Sequence, residues 1–328
     1  MADCKSFISA GIAGAVCALG FGFAALPPFA QELSLDGPNA FRLHREGLNS
    51  SEIAHFNYGR GLFHHVWEPV VHDDGTVSGF GPLYNANACA ACHVRDGRGQ
   101  PPRPGDATSF VMRLSVGTRE VAGFKHVLPD PVYGYQLQDH AIQGLYPEGR
   151  ILVTYREFEM ALADGQTVRL QRPEYALADP AYGPFDAALK LGPRVAPPVI
   201  GLGLLERIPV RRLEALADAF DRDGDGISGR INWSPVDADG QRVPNRFGWK
   251  LTAASVREQS EMAANADMGI SSPGANRFAG DCTRAQSVCM NMVRPEHFGK
   301  DVELDGNEMH LLAFYAANLG VPPRRNIG

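Results

Sequence analysis

The sequence lacks an excess of basic residues. Its 31 lysines and arginines stand against 37 aspartates and glutamates, which gives a formal net charge of −6. Nucleic acids and anionic membrane surfaces attract basic patches, so this charge argues against both as partners. Beyond residue 30 the chain also lacks internal repeats and low-complexity tracts, and its 44% hydrophobic and 21% charged residues are ordinary for a soluble globular protein.

Charge is absent altogether from Phe7 to Ala30, a stretch made mainly of Ala, Gly, Leu, Phe, Val and Ile. A short basic start at Lys5, an apolar centre and small residues near the end are typical of a secretory signal. We therefore predict a signal peptide over residues 1–30 and a periplasmic protein. The alternative is a retained membrane anchor, because roughly 20 apolar residues can span a bilayer. Pro27 and Pro28, with no basic residues directly after them, favour removal.

Cysteine is scarce, with six residues in 328, and two of them fall in the predicted signal. Of the four that remain, two lie close together near residue 90, and the others are Cys282 and Cys289. In an oxidising compartment this second pair is most simply a disulfide. The alternative, two free thiols, would require a reducing compartment, against which the signal argues.

The strongest motif in the chain is Cys89-Ala-Ala-Cys92-His93. Two thiols three residues apart on one helical turn can each bond to one vinyl group of a haem, and the histidine that follows can bind the iron. We therefore predict one covalently attached haem c, with His93 as an iron ligand. A thioredoxin-like dithiol would lack its βαβ setting and would leave His93 unexplained. A zinc site would need a second ligand pair at matched spacing, which Cys282 and Cys289 do not supply.

A second axial ligand to the iron is expected between the haem motif and the last helix. Met268 is the predicted ligand, because it lies in Asp267-Met-Gly-Ile-Ser-Ser-Pro273, a stretch that we interpret as a loop with an exposed sulfur. Methionine more often fills a hydrophobic core, and that alternative stays open. The other candidates in this part of the chain are Met262, Met290, Met292 and His297.

Two helical patterns bracket the haem motif, one over residues 49–67 and one over residues 304–319. The first begins with Asn49 and Glu52 spaced as in a capping box, followed by apolar residues at helical spacing. Its glycines, Gly59 among them, cost helix stability of about 1 kcal/mol each against alanine. Glycine there makes sense if another helix crosses closely. Two such helices around a haem motif predict an α-helical cytochrome c-like haem domain.

The chain between these helices is longer than such a domain needs. Short runs rich in Val, Leu, Tyr and Thr, separated by Pro, Gly and Asp, indicate strands, and residues 209–220 predict a helix. We predict an α+β fold in which the cytochrome c-like domain, residues 31–105 and 241–328, carries a large β-rich insertion over residues 106–240. The predicted strands are residues 110–116, 132–138, 150–157 and 167–172.

An acidic stretch inside the predicted insertion indicates a second ion site. Asp221, Asp223 and Asp225 with Gly226 match positions 1, 3, 5 and 6 of a calcium loop. Position 12, where such a loop has a bidentate glutamate, is Asn232. We predict a structural calcium ion on the three aspartates, and the alternative is a solvated acidic turn.

Several stretches of the chain form a recognisable combination. They are Gly81-Pro-Leu-Tyr-Asn85 with the haem motif and Val94-Arg-Asp-Gly-Arg-Gly99, Asp130-Pro-Val-Tyr-Gly134 with Gln136-Leu-Gln-Asp139, Pro193-Arg-Val-Ala-Pro-Pro198 with Gly201-Leu-Gly-Leu-Leu-Glu206, Asp223-Gly-Asp-Gly-Ile-Ser-Gly-Arg230, Arg246-Phe-Gly-Trp-Lys250 and Asp267-Met-Gly-Ile270. Together these stretches resemble one family, the bacterial di-haem oxidoreductases, also labelled thiol oxidoreductases and regarded as relatives of the di-haem peroxidases. The resemblance runs from about Phe56 to Arg325 and implies haem cofactors and a peroxidase-like oxidoreductase.

The chain departs from that family in one respect. Members carry a second Cys-x-x-Cys-His in a C-terminal domain, whereas these residues contain one, and Val321-Pro-Pro-Arg-Arg-Asn-Ile327 resembles the linker into the second domain. We expect the N-terminal haem region of an exported di-haem peroxidase-like enzyme that performs electron transfer. The alternative is a mono-haem electron-transfer cytochrome without catalytic activity. The expected partners are a redox protein or small electron donor and a second haem domain of the same protein, with no nucleic acid and, after signal removal, no membrane.

Overall fold

The computed structural model describes residue 37 and residues 39–105, 108–121, 124–235, 239–292 and 301–324. All of them fall in one unit of the chain, Ser34–Gly328. The predicted signal over residues 1–30 and the candidate ligand His297 lie outside these ranges. Within the ranges, no helix combines the length and the apolar character that crossing a bilayer requires.

The helices that frame the described chain begin at capping boxes. At the first of them Asn49 and Glu52 form the predicted box, and Asp305 and Glu308 form another at the last. Each box satisfies backbone N–H groups that would otherwise lack partners. The α-helices are α1 (Ser50–His64), α2 (Cys89–Cys92), α3 (Leu202–Glu206), α4 (Val210–Leu216), α5 (Val256–Met268), α6 (Ser287–Met292) and α7 (Gly306–Asn318), and 3-10 turns cover Ala40–Arg42 and Val94–Asp96.

The strands form small antiparallel sheets. They are β1 (Val70–Val71), β2 (Val77–Ser78), β3 (Leu83–Tyr84), β4 (Phe110–Ser115), β5 (Gly117–Val121), β6 (Phe124–Leu128), β7 (Gln136–Leu137), β8 (His140–Ala141), β9 (Arg150–Ala161), β10 (Thr167–Ala178) and β11 (Lys190–Val195). Strand β4 lies between β11 and β7 in a three-stranded sheet, with Phe110 opposite Val195. Strands β9 and β10 form a two-stranded ribbon, and β1–β2, β3–β8 and β5–β6 are the other pairs.

The expectation of an α-helical cytochrome c-like domain is wrong. The structure is 26% helical and 25% strand, a mixed α+β arrangement of short helices and small sheets in which no helical domain dominates. The helix that carries the haem motif has four residues, and turns and bends surround it. The composition explains this outcome, since the 36 glycines and 24 prolines of the chain interrupt regular helices.

The predicted elements between the two framing helices are confirmed in part. The strands over residues 110–116, 150–157 and 167–172 are present as β4, β9 and β10, and the last two run further than predicted. The run over residues 132–138 is mostly a turn that contains only the two residues of β7. The helix predicted over residues 209–220 ends at Leu216, with Pro209 as its N-cap.

The largest hydrophobic core lies where α1, α5 and α7 pack together. Phe56 and Tyr315 are fully buried in it, with ring centroids 4.7 Å apart. At Gly59, α1 crosses α7 so closely that a methyl group would overlap the Leu311 carbonyl oxygen and lie 2.8 Å from Tyr315 Cβ. The predicted close helix crossing is therefore confirmed at Gly59, whereas Gly61 has no atom within 4 Å of that position.

A second core lies on one face of β4. Its alternate residues Phe110, Met112 and Leu114 are buried against Tyr133 and Leu137, whereas the residues between them are partly exposed. This alternation follows from the two-residue period of a strand, which turns successive side chains to opposite faces. The core therefore fixes which face of β4 points inward, and it holds the strand whose start lies beside the haem motif.

The predicted disulfide between Cys282 and Cys289 is present, with Cα atoms 6.3 Å apart. Both cysteines are buried in a small cluster with Leu83. The neighbouring Asp281 carboxylate accepts hydrogen bonds from the backbone N–H groups of Tyr135 and Gln136 at 2.7 and 3.1 Å. The disulfide loop is thus attached to the backbone at the start of β7.

The two glycines of α1 provide a matched test of the helix crossing. We expect Gly59→Ala to lower the free energy of unfolding by about 1–3 kcal/mol, because its methyl group overlaps the backbone of α7. We expect Gly61→Ala to raise it by up to about 1 kcal/mol, because alanine favours helix and meets no neighbour there. Chemical denaturation of both variants measures the difference, and equal effects would contradict the close crossing.

Candidate haem-binding site

The haem motif forms one helical turn followed by a sharp change of direction. Ala88 is extended, α2 covers Cys89 to Cys92, and the N–H of His93 donates to the Cys89 carbonyl at 3.0 Å. Neither Cys89 nor Cys92 forms a disulfide. One turn therefore offers two thiols and an imidazole, the set of groups that attaches haem c and binds its iron.

The His93 ring meets two backbone carbonyl groups. Nδ1 lies 3.3 Å from the carbonyl oxygen of Gly97, and the carbonyl of Pro197 also hydrogen-bonds the ring. Phe63 of α1 packs against the ring with centroids 5.9 Å apart. Burial lowers the pKa of His93, which favours the neutral ring that a metal requires. In metal-binding histidines, a hydrogen bond from the ring nitrogen that does not bind the metal commonly orients the ring.

The two thiols share one electrostatic environment. Cys89 and Cys92 keep some exposed surface, yet burial, followed by the Asp267 carboxylate, raises the pKa of each thiol to about 12. Redox-active Cys-x-x-Cys pairs have a lowered thiol pKa, because the thiolate is the reactive form. The raised thiol pKa is therefore the opposite of what the thioredoxin-like alternative requires.

The segment that follows β11 encloses the motif from another side. The N–H of Gly99 donates to the Ala196 carbonyl at 2.8 Å, and the Ser109 hydroxyl donates to the Ala91 carbonyl at 3.3 Å. A methyl group at Gly99 would lie 2.8 Å from Ser109 Cβ, so these two segments can approach this closely only with glycine at position 99. The carbonyl of Pro197 also interacts with the His93 ring. Ala196 and Pro197 thus line one side of the site.

Met268 is the last residue of α5 and is 4% exposed, so the predicted exposed loop is wrong at this position. Its carbonyl accepts a hydrogen bond from the N–H of Gly81 at 2.9 Å, and its side chain belongs to the largest core. Among the other candidates, Met262 and Met292 are partly buried against the same core and Met290 is 41% exposed. Iron binding by Met268 stays a prediction.

Buried amide and carboxylate side chains connect the end of α5 to the rest of the site. Gln136 donates to Asp267 Oδ1 at 2.8 Å and to Asn85 Oδ1 at 2.6 Å, while Gln138 donates to the Ala266 carbonyl at 2.9 Å. Asp267 interacts electrostatically with both motif cysteines and with His93, so this network borders the haem motif. Burial raises the pKa of Asp267.

Sequence reasoning did not single out Asp267, Gln136 or Asn85, and it also missed Asp96, whose side chain is fully buried. The available signal was that each lies inside a stretch that resembles the family. Three of those stretches, 81–85, 136–139 and 267–270, are joined by the hydrogen bonds of this network.

The acidic loop brings its three predicted ligands together. The carboxylates of Asp221, Asp223 and Asp225 each offer an oxygen within 4.8 Å of the others. They also accept bonds from the loop backbone, for example from Gly226 N–H to Asp221 at 3.2 Å. Asn232 is directed elsewhere, because its amide donates to the Leu251 carbonyl at 2.6 Å. The three aspartates thus supply the ligands of the first half of a calcium loop. Asn232, at position 12, does not supply a ligand.

The motif thus places two thiols and a histidine ring on one helical turn, the groups that haem c attachment requires. A sequence model of the family described as "di-haem oxidoreductase, putative peroxidase" matches residues 135–328, more than half of the chain. The chain belongs to this family. The matched region includes Gln136, Asp267 and Met268 and begins after the haem motif at Cys89–His93. No curated protein and no solved structure matches the chain.

Glu148 is a fully buried carboxylate that contacts Gln138 of this network. It accepts hydrogen bonds from the backbone N–H of Gln138 at 2.6 Å and from the side chain of Gln286 at 2.5 Å. Burial raises the pKa of Glu148 to about 8, and the charges of Asp281 and Asp130 add to this effect against the hydrogen bonds. Between about pH 4.5 and 8 the folded protein therefore binds a proton at Glu148 that the unfolded chain releases.

We expect the free energy of unfolding to fall as pH rises through this window and to level off above about pH 8. One proton corresponds to a slope of about 1.4 kcal/mol per pH unit. Denaturation between pH 5 and 9 should show a shallower slope in Glu148→Gln, which cannot release the proton. Glu157→Gln, an exposed position in β9, is the matched control. Equal slopes in the parent protein and Glu148→Gln would contradict the assignment.

Proposed function

We propose that this chain is an exported c-type haem protein that transfers electrons as one haem region of a di-haem, peroxidase-like oxidoreductase. The observation that supports this most is the haem motif itself, which places two thiols and the His93 ring on one helical turn, with Nδ1 of the ring 3.3 Å from the Gly97 carbonyl oxygen. Haem supplies an iron that gains and loses one electron. Export to the periplasm accords with the uncharged stretch from Phe7 to Ala30 and with the disulfide.

The residues of the chain have distinct roles in this proposal. Cys89 and Cys92 would hold the haem covalently, and His93 would bind its iron. Met268 would supply the other protein ligand, since it ends α5 directly after Asp267, whose carboxylate interacts with His93. Phe63 packs against the ring of His93. An iron bound by two protein ligands would exchange electrons and would leave no site for peroxide.

The proposed electron transfer can be separated from catalysis. The 328 residues contain one Cys-x-x-Cys-His, so we propose that a second haem lies in a further domain of the same protein. We expect this chain to be reduced and reoxidised readily by a small donor and a second cytochrome. We also expect peroxide-dependent oxidation of that cytochrome to be slow here and fast in a form extended through any downstream haem motif.

Comparable peroxide turnover by the short chain would contradict the proposal and would make the haem at His93 the catalytic one. Slow turnover by both forms, with intact electron exchange, would favour the alternative of a mono-haem electron-transfer cytochrome.

The role of Met268 has its own spectroscopic test. Methionine bound to ferric haem iron gives a sulfur-to-iron charge-transfer band in the near infrared. We expect the parent protein to show this band, and Met268→Ala to lose it and convert the iron to high spin. Met262→Ala, in the same helix, is the control and should keep the band. An unchanged spectrum in Met268→Ala would assign the ligand to another residue.

For the acidic loop we propose a structural calcium ion on Asp221, Asp223 and Asp225, because their carboxylates converge. An ion that binds only the folded state stabilises it, by about 2.7 kcal/mol at a concentration 100 times Kd. Calcium should therefore raise the Tm of the parent protein but not of Asp223→Ala. Asp164→Ala, in the turn between β9 and β10, should respond like the parent. Equal melting temperatures of the parent in calcium and in chelator would refute the site.

A further inference from the structure

Asp96, three residues after His93, is fully buried and meets side chains from three separate parts of the fold. Its Oδ1 accepts hydrogen bonds from His64 Nε2 at the end of α1, at 2.7 Å, and from the Tyr315 hydroxyl of α7, at 2.6 Å. Its Oδ2 lies 2.8 Å from Nε of Arg42. This last pair is not aligned for a hydrogen bond and is an ion pair.

This arrangement is costly. Removing a carboxylate from water is unfavourable even when it is paired, and a polar hydrogen-bonded site of this kind is rarely the most stable packing. The backbone adds to the cost, because Arg95 and Asp96 both have left-handed conformations, with φ of 55° and 60°. Consecutive non-glycine residues in this region persist only where the surroundings enforce them, often at functional sites.

The contacts of Asp96 fix the backbone segment, residues 95–97, that orients His93. The N–H of Asp96 donates to the carbonyl of His93 at 2.9 Å, and the carbonyl of the next residue, Gly97, accepts from His93 Nδ1 at 3.3 Å. Two partners of Asp96, His64 and Tyr315, come from α1 and α7, and Phe63 of α1 contacts both the His93 ring and Tyr315. One carboxylate thus joins the two framing helices to the loop that holds the ligand.

We propose that Asp96 is a positioning residue for His93 and that its buried negative charge lowers the reduction potential of the iron that His93 binds. This inference rests on the proposed function. A negative charge in a medium of low dielectric stabilises the ferric over the ferrous state, because the ferric site carries one more positive charge. A substitution that removes the charge and keeps the packing therefore isolates this effect.

Potentiometric titration of the purified holoprotein tests the charge. Asp96→Asn keeps the shape of the side chain and removes the charge, so we expect the ferrous-to-ferric ratio at a fixed potential to rise at least tenfold. For a one-electron couple this is a shift of about 59 mV. A ferrous-to-ferric ratio in Asp96→Asn that rises less than tenfold over that of the parent would overturn the proposal.

Two further variants keep the test decisive if Asp96→Asn does not accumulate. Arg42→Gln removes the opposite charge from a partly exposed side chain, so its potential should fall. Tyr315→Phe removes one hydrogen bond and no charge, so its shift should be less than a third of that of Arg42→Gln. An unchanged potential in Arg42→Gln, or an equal shift in Tyr315→Phe, would overturn the proposal.

The parent protein separates this inference from the proposed function. Covalent haem in the parent, together with potentials that do not respond to charge, would overturn the role of Asp96 alone. A parent that carries no covalent haem would overturn both.

Discussion

The close crossing of α1 and α7 at Gly59 is the constraint on which the site depends. Because no side chain separates the two helices there, Phe56 and Phe63 of α1 reach Tyr315 of α7. That contact places Phe63 against the ring of His93 and the Tyr315 hydroxyl on Asp96. A helix pair that stood further apart would leave the haem motif without its apolar wall and Asp96 without one of its donors.

The opposite side of the site is organised by polar contacts. Asn85, Gln136 and Asp267 come from three distant parts of the chain and are joined by hydrogen bonds in a buried setting. Such networks specify one arrangement when every member is satisfied, since an unpaired buried group is costly. The network fixes the end of α5, and with it Met268, relative to the strands around β7. The disulfide loop attaches to the same strand through Asp281.

Features encoded within a few residues were predictable from the sequence. The capping box at Asn49 depends on the spacing of two residues, and the disulfide followed from the even number of remaining cysteines and the predicted compartment. Gly59 indicated its close neighbour because glycine is unfavourable inside a helix. The burial of Met268 was not predictable. The turn residues around it indicated a loop, whereas α5 continues through Met268 and ends only at Gly269. Nor were the contacts of Asp96 predictable, because Tyr315 lies 219 residues away along the chain. The cytochrome c-like domain was wrongly predicted because two correctly predicted helices do not determine the structure of residues 65–305 between them.

The central claim is that Cys89, Cys92 and His93 hold a covalent haem. Acid-acetone extraction of the exported, mature protein tests this most directly, with a variant that carries both Cys89→Ser and Cys92→Ser as the control. The account predicts that haem stays with the polypeptide of the parent and that the double variant retains none. Haem that extracts freely from the parent, or a parent without haem, would contradict it.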